Sequence, residues 1–420
     1  MHKQYDYYEN YQLTANFKVD DAQYPDKDIA LVPGTIIVNP TDPVFDDTLQ
    51  LQRTVTGMAR TPGGRLFLSY YSGGAHADED VGNYVMVISS DDDGKTFQNR
   101  IAVAPPNWET SRTFDANLWV DDTGRLWLFW CQSYLKLDGR IGVWASRCDN
   151  PDDEEMHFTE PRRFANGLLL TQPIITRDGL WLIPTALADD KCWHGSANGL
   201  PKANWLPKEQ GVSVYASKDR GETFERIASG IRFPFSTFDE PCIVERSDGS
   251  LWMWIRGMNC MGDCFSYDGG YTWTIPCQNP KLNFPNTHSH IGRLKSGRLL
   301  ALVNYKADMF SFFGGRNNLT ALISSDDGAT WESALMIDER EGSEQPDFVE
   351  GDNGFIYISY GRAPQIAGES MLAVVTEEDI LAGKLVNPAS RLRIVAGKAA
   401  GIALRPDYED FRRLAEKHNI

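Results

Sequence analysis

Short runs of alternating aromatic and apolar residues recur along the whole chain, and each run is entered through a glycine-containing turn. Glycine supplies the positive φ of a tight hairpin turn, and the bulky residues after it suit a pleated strand. Successive turn glycines are 60, 55, 70, 48 and 57 residues apart, so the turns form a repeat. The six turn glycines are Gly64, Gly124, Gly179, Gly249, Gly297 and Gly354.

An interval of about sixty residues accommodates four strands of about six residues with their loops, which is one blade of a β-propeller. Six such turns predict an all-β protein, a six-bladed β-propeller with four-stranded antiparallel blades. We expect an N-terminal extension over 1–34 that packs on or closes the propeller, and the blades over 35–400. The C-terminal tail, 401–420, has a helix-like charge pattern.

A second motif, Ser-x-Asp-x-Gly-x-Thr followed by Trp or Phe, occurs four times, each time one strand beyond a glycine turn. Its aspartate suits the backbone N–H groups of a turn, and its glycine suits a left-handed conformation. The motif therefore predicts the hairpin between the third and fourth strands of a blade, with a structural role. The four copies begin at Ser90, Ser217, Ser266 and Ser324.

The first strand of each propeller blade lines the central channel, so the segment before each glycine turn predicts the functional site. These segments carry ionisable and amide groups, and buried charges are costly unless they are paired. Asp115 and Asp239, in two copies of Thr-Phe-Asp, also suit a bracing role at the strand entry. The candidates are Arg53, Arg112, Asp115, Gln172, Asp239, Glu240, His288, His290, Gln345 and Asp347, with Tyr71, Arg256 and Tyr305 near the ends of second strands.

The second motif resembles the Asp-box of the sialidase (BNR-repeat) superfamily, and the resemblance covers roughly residues 35–385. Members of that superfamily grip a substrate carboxylate with three arginines and use a Glu–Tyr nucleophile pair. The resemblance implies that Glu240 is the glutamate of the pair. The arginines that it implies are Arg53, Arg256 and Arg316.

The place of the family's nucleophile departs from this pattern. Family members have a tyrosine there, whereas this chain has Gln345, and an amide cannot form the covalent intermediate that an activated tyrosinate forms. Retaining sialidase chemistry is therefore not expected. The family keeps its acidic proton donor where this chain has the loop 76–83. Counting back from the Asp-box favours Glu79 as the donor, with Asp78 and Asp80 as alternatives.

Three hypotheses for the function remain open. The first is an exo-acting glycoside hydrolase that releases a terminal sugar from a uronic- or sialic-type glycan, with a carboxylate that activates water and an acid that protonates the leaving group. The water-activating candidates are Glu240, Asp239 and Asp347, and the acid candidates are Glu79 and the two histidines, His288 and His290.

The second hypothesis is a polysaccharide lyase that cleaves at a uronic acid, such as rhamnose-linked glucuronate, by β-elimination. This reaction needs no nucleophilic tyrosine. The third hypothesis is a non-catalytic glycan-binding propeller, for which the segment 190–207 would be a platform or a lid. The candidate bases of the lyase are His288, His290, Tyr305 and Tyr71.

Charge and composition exclude some classes of binding partner. The formal net charge is −17, and the sequence contains no run of basic residues that could bind a nucleic-acid backbone, so we expect no nucleic-acid partner. No signal peptide or membrane-spanning stretch is visible, so we expect a cytoplasmic protein, or a secreted or periplasmic one if a signal has been removed. The seven scattered cysteines predict buried thiols, and neither a metal site nor a cofactor is expected.

Overall fold

The computed structural model describes residues 27–74, 79–135, 141–187, 210–308 and 313–418. Within these ranges, twenty-five strands form six antiparallel sheets, each built on four strands that are hydrogen-bonded in chain order. The sheets are the blades of a six-bladed β-propeller, which confirms the predicted fold. Within these residues, no helix is long and apolar enough to cross a membrane.

Each blade contains four strands that follow one another in the chain, from the channel outwards. Blade 1 comprises β2 (Thr54–Arg60), β3 (Leu66–Gly73), β4 (Asn83–Ser90) and β5 (Gln98–Ala104). Blade 2 comprises β6 (Ser111–Val120), β7 (Leu126–Tyr134), β8 (Gly142–Cys148) and β9 (Arg162–Asn166). Blade 3 comprises β10 (Ile174–Ile175), β11 (Trp181–Leu187), β12 (Gly211–Ser217) and β13 (Glu225–Ile231).

Blades 4 to 6 have the same order, and β1 (Thr35–Val38) adds a fifth strand to the outer edge of blade 1 by pairing with β5. Blade 4 comprises β14 (Ser236–Glu245), β15 (Leu251–Gly257), β16 (Cys260–Ser266) and β17 (Cys277–Gln278). Blade 5 comprises β18 (His290–Arg293), β19 (Leu299–Asn304), β20 (Leu319–Ser324) and β21 (Ser333–Asp338). Blade 6 comprises β22 (Ser343–Glu350), β23 (Phe355–Arg362), β24 (Glu369–Thr376) and β25 (Arg391–Lys398).

Helices are short and lie outside the blades. Helix α1 (Glu377–Ala382) is capped by Thr376, whose side chain accepts a hydrogen bond from the Asp379 backbone N–H. The C-terminal residues form α2 (Tyr408–His418). The remaining helices are 3₁₀ turns at Lys27–Leu31, Pro43–Phe45 and Ile402–Leu404.

The apolar core is divided among the six interfaces between neighbouring blades. Each interface contains its own cluster of buried side chains: Phe348 packs with residues of blades 5 and 6, for example, and Trp181 packs between blades 2 and 3. A flat sheet has two faces to bury, and the neighbouring blades cover both. The core therefore forms a ring around the channel, and polar side chains remain at the axis.

Three Asp-box hydrogen bonds recur in all four copies. In the first, the Asp92 carboxylate accepts bonds from the backbone N–H and the hydroxyl of Thr96, at 2.9 and 2.8 Å. Ser90 Oγ accepts a bond from the Gly94 N–H at 2.8 Å. Each box joins the third and fourth strands of its blade, as predicted, and its carboxylate is occupied within the turn. These aspartates therefore stabilise hairpins.

The box glycines also permit close packing between blades, which gives a test of the interface. Gly221 has a φ of 83°, and a Cβ atom there would lie 2.5 Å from the Trp127 ring of the preceding blade. Gly179 has a φ of 80°, but a Cβ atom there would meet no atom within 4 Å. The two positions therefore share backbone strain but differ in steric crowding.

We expect Gly221→Ala to lower the free energy of unfolding by about 2–4 kcal/mol, since strain and overpacking add. Its matched control, Gly179→Ala, should lose only about 1 kcal/mol, from strain. Urea unfolding monitored by tryptophan fluorescence measures both. Equal losses in the two variants would contradict the interblade packing described for Gly221.

Candidate functional site

A repeated irregularity in the inner strands builds the mouth of the channel. The pairing of the first strand with the second slips between Phe114 and Asn117 in blade 2, and at the corresponding place in blades 1, 4 and 6. In blades 2, 4 and 6 the first residue of the bulge has a positive φ, a conformation that non-glycine residues rarely adopt. These residues are Asp115 (44°), Glu240 (38°) and Gln345 (54°).

A β-bulge re-aims the side chain of its extra residue. Because the three bulges occupy the same level of three inner strands, Asp115, Glu240 and Gln345 converge on the axis from alternate blades. All three side chains are largely buried, with exposures of 9%, 7% and 6%. The Gln345 side-chain oxygen is buried and has no hydrogen-bond partner among the described residues.

Glu240 is held as an anion at this mouth. One of its oxygens lies 2.5 Å from an Arg256 nitrogen, and the other lies 3.5 Å from His288 Nδ1. Burial alone would raise the pKa of Glu240, but the charge of Arg256 and the His288 contact outweigh it and lower the pKa to about 2. The carboxylate is therefore ionised throughout the physiological range.

The two arginines that were expected beside Glu240 are there, joined through Asn286. Arg256 donates to both the side-chain and the backbone oxygen of Asn286 at 2.9 Å, and Arg316 donates to that backbone oxygen at 3.4 Å. Arg316 also forms an ion pair with Glu344 and keeps 28% of its side chain exposed. Neither Asn286 nor Glu344 was predicted as a site residue, although each precedes a predicted one in sequence.

The pKa of Asp115 is displaced in the opposite direction from that of Glu240. Burial raises its pKa well above the ordinary value, the negative charges of Glu79 and Glu240 raise it further, and Arg112 opposes them. Glu79 also raises the pKa of Arg316, together with Glu344 and Glu240, against the effect of burial. The structure thus brings the loop residue Glu79 to the same mouth as Asp115, Glu240 and Arg316.

Asp347 and His290 require a correction, because they form a cross-link deeper in the channel. Asp347 accepts backbone hydrogen bonds from Met58 and Phe348, both at 2.8 Å. It also lies 3.1 Å from His290 Nδ1 and accepts a bond from Gln172 at 3.2 Å. Asp347 follows the bulge by two residues, so it projects below the mouth, where its carboxylate joins blades 1, 3, 5 and 6 and is not free to activate water.

Arg53 also requires a correction, because it lies at the joint between blades 1 and 6 and not in an arginine clamp. Its guanidinium bonds to Asp47 at 2.7 Å and to Gln50 at 2.9 Å, and it stacks on the Tyr70 ring at 4.4 Å. The Asp47 backbone oxygen accepts from Ala400 at 2.9 Å. Arg53 precedes β2, and its side chain points towards the place where the Asp47 segment meets the C-terminal chain at Ala400, which we call the closing contact. The Arg53 side chain is 1% exposed there.

Three predicted binding residues are covered by apolar packing. Tyr71 and Arg112 are fully buried beside Phe114, and the Arg112 guanidinium lies 3.7 Å from the centre of that ring. Arg112 therefore acts on the mouth through the charge that it places near Asp115. Tyr305 is half-buried and packs on the apolar cluster between blades 4 and 5.

Some predicted residues cannot be placed. The side chain of Asp239 lies outside the described residues, although its backbone pairs with Arg256. Asp78 and the segment 190–207 also lie outside them. Asp80, the remaining alternative donor, accepts a hydrogen bond from the Val81 N–H within its own loop. Within the described residues, no group of three His, Cys, Asp or Glu side chains could hold a metal ion.

Two cavities lie towards the other end of the channel, away from Glu240. One, of about 520 Å³, is lined by Ile174, Ile243 and Arg293, and the other, of about 280 Å³, reaches His290 from below. The arginines in these cavities are occupied: Arg293, for example, bonds to the Glu245 backbone and to Asp327. At the mouth, by contrast, Glu240, Asp115 and Arg316 lie together, and Arg316 keeps 28% of its side chain exposed.

A six-bladed propeller with Asp-boxes and an acidic, arginine-lined mouth is a protein of the sialidase-like class. The BNR repeat-like domain matches residues 109–358, and the chain belongs to that family. No curated protein matches the chain.

Solved structures share the fold at low sequence identity. A protein of unknown function from Dyadobacter fermentans is 15% identical, with a TM-score of 0.57, over 79% of this chain and 94% of that one. NanB sialidase from Streptococcus pneumoniae is 11% identical, with a TM-score of 0.56, over 79% and 68%. The leech intramolecular trans-sialidase is 13% identical, with a TM-score of 0.57, over 79% and 67%.

The closing contact of Arg53 can be tested through stability. We expect Arg53→Met to lower the free energy of unfolding by about 1–3 kcal/mol, because it removes a buried, stacked guanidinium and its ion pair with the half-exposed Asp47. The control, Arg220→Met, removes an exposed ion pair with Asp122 and should change stability by less than about 0.5 kcal/mol. Urea unfolding measures both, and an unchanged Arg53→Met midpoint would contradict the assignment.

Proposed function

We propose that the protein is a glycoside hydrolase of sialidase-like type that releases a terminal sugar from an acidic glycan. The convergence of three acidic groups, Glu79, Asp115 and Glu240, with Arg256 and Arg316 at one mouth carries this proposal. Glycoside hydrolysis uses a protonated and an ionised carboxyl group together. Asp115 and Glu240 have pKa values displaced in opposite directions, which supports such a division of roles.

Arg316 is the residue best placed to bind a substrate carboxylate. It retains 28% exposure while its partner Glu344 is 3% exposed, so a ligand reaches the guanidinium more readily than the glutamate. Arg256 is 4% exposed and bonds to Glu240 and to both oxygens of Asn286. Arg256 is therefore a positioning residue that holds the Glu240 carboxylate, and Arg316 supplies the charge that selects an acidic sugar.

The Glu240–His288 pair supplies a base for water. Both His288 ring nitrogens and the second Glu240 oxygen are buried without a well-aligned hydrogen bond among the described residues. Buried polar atoms of this kind require a water or ligand partner. A water held there would lose its proton to His288 while Glu240 stabilises the resulting imidazolium. The Gln345 amide, which cannot act as a nucleophile, leaves this water as the attacking group.

A channel mouth accepts chain ends more readily than the middle of a polymer. The bulged residues approach from three alternate blades and enclose the axis, and the Asp347 cross-link forms a floor below them. A linear glycan would therefore enter with one terminus. This geometry supports exo-action on a terminal residue.

A second candidate is β-elimination at a uronic acid, which one observation favours. His288 lies beside the anionic Glu240, and Gln345 stands where a covalent mechanism would need a tyrosine. In elimination, His288 would remove the proton α to the carboxylate that Arg316 binds, and the leaving oxygen would depart from the β-carbon. The products then contain an unsaturated uronate, which hydrolysis cannot form.

A substrate panel separates the two reactions. The full chain is incubated with sialosides, rhamnosyl-glucuronate glycans and other uronides, and reducing sugar and ultraviolet absorbance are recorded together. We expect new reducing ends without absorbance from an unsaturated product. Absorbance that rises with the reducing ends would replace hydrolysis by elimination, and no product from any glycan would contradict catalysis.

The selective role of Arg316 has its own test on any hydrolysed substrate of the panel. We expect Arg316→Ala to lower kcat/KM about 10- to 100-fold, the loss expected for one charge-assisted hydrogen-bonded contact. The matched control, Arg220→Ala, removes an exposed arginine at the blade surface and should leave kcat/KM unchanged. Equal kinetics for the two variants would contradict the carboxylate contact.

A further inference from the structure

The Asp115 carboxyl group differs from the buried Glu240 and Glu344 carboxyl groups of the mouth in having no fixed partner. Glu240 is bound by Arg256, and Glu344 is bound by Arg316. The Asp115 side chain forms no hydrogen bond or ion pair with any residue that the structure describes. It is 9% exposed, so a small part of its surface remains open to a ligand at the mouth.

The backbone aims this unpartnered group at the axis. Asp115 is the first residue of the bulge in β6 and has a φ of 44°, as Glu240 has in β14. Holding an aspartate in the left-handed region costs about 1–2 kcal/mol, and Asp is among the residues that tolerate it. The strained placement brings the carboxyl to the same level of the channel as Glu240, from a different blade.

Burial and the charged groups around Asp115 favour its protonated form. Burial is the largest effect, and the anionic Glu79 and Glu240 add to it, while Arg112 opposes them. The buried Cys131 on the next strand is a neutral neighbour, since burial raises its thiol pKa well above the ordinary value. The pKa of Asp115 is therefore raised, which favours the protonated carboxyl, an O–H donor.

We propose that Asp115, and not the loop residue Glu79, is the proton donor to the glycosidic oxygen. This assignment rests on the hydrolysis proposed above. Glu79, half-exposed on the loop before β4, then acts through its negative charge, which keeps Asp115 protonated and faces Arg316.

The proton and electron balance of the step is simple. The bond between the anomeric carbon and the glycosidic oxygen breaks, its electron pair stays on the oxygen, and that oxygen takes the proton of Asp115. A water oxygen bonds to the anomeric carbon and loses its proton to His288. Transfer of this proton through solvent restores Asp115, so one water is consumed and no other reactant is needed.

Leaving-group dependence identifies the donor. The substrate that the panel reveals is prepared as a methyl glycoside and as a 4-nitrophenyl glycoside, since a nitrophenolate leaves without protonation. We expect Asp115→Asn to lower kcat at least about 100-fold on the methyl glycoside and far less on the nitrophenyl glycoside. Asparagine resembles the protonated aspartate in shape and charge, so the variant should fold.

The pH dependence gives a second readout. An acid works only below its pKa, so wild-type kcat should fall as the pH rises through the raised pKa of Asp115. Asp115→Asn should remove that alkaline fall, whereas Glu79→Gln should move it to lower pH by removing a negative charge that raises the pKa. A leaving-group-selective loss in Glu79→Gln, with none in Asp115→Asn, would overturn the assignment.

A measurement without turnover separates this proposal from the proposed hydrolysis. Isotope-edited infrared spectra of the free protein should show a protonated aspartate at neutral pH that is missing from Asp115→Asn. Absence of that signal would overturn Asp115 as the donor even if glycans are hydrolysed. Presence of the signal in a protein that hydrolyses no glycan would instead overturn the proposed function, and the donor role with it.

Discussion

The left-handed backbone at Asp115, Glu240 and Gln345 is the constraint on which the site depends. Each of these residues costs about 1–2 kcal/mol in that conformation, and the hydrogen-bonded ladder on both sides of each bulge maintains it. A regular strand would turn these side chains into the interfaces between blades, where apolar residues pack. The bulges instead bring three polar side chains from three blades to one mouth.

Burial at that mouth then determines which carboxyl groups are favoured in the ionised form. Burial disfavours an ionised carboxyl, so a buried carboxyl that is bound by a cation keeps its charge, whereas the pKa of one without such a bond is raised. Glu240 is bound by Arg256 and keeps its negative charge, whereas burial, Glu79 and Glu240 raise the pKa of Asp115 against the opposing charge of Arg112. The same burial explains the Asp347 cross-link, which four groups from four blades satisfy. Residues at the bulges, such as Asp115 and Glu240, thus lie at the mouth, whereas Asp347, farther along its inner strand, holds four blades together below them.

The sequence predicted the fold because its signals are local. A turn glycine and the following aromatic run determine a hairpin wherever they occur, and the Asp-box hydrogen bonds lie within eight residues, as at Ser90–Phe97. The sequence also predicted that Glu240 and Arg256 belong to one site, and the two lie on adjacent strands, where they form an ion pair. The side-chain direction of Arg53 was not, because it depends on Asp47 and on the return of the C-terminal chain to Ala400. Nor does the sequence distinguish Asp347 from Gln345, whose different directions follow from the register of the bulge.

Coupling between blades is the most direct test of this account. The pKa of Asp115 is measured by isotope-edited infrared titration in the wild-type protein and in Glu240→Gln, which neutralises a residue of another blade. If both side chains share one buried mouth, the variant lowers the pKa of Asp115, because an anion that disfavours its ionisation has been removed. An unchanged Asp115 pKa would show that the two carboxyl groups do not share that mouth and would contradict the account.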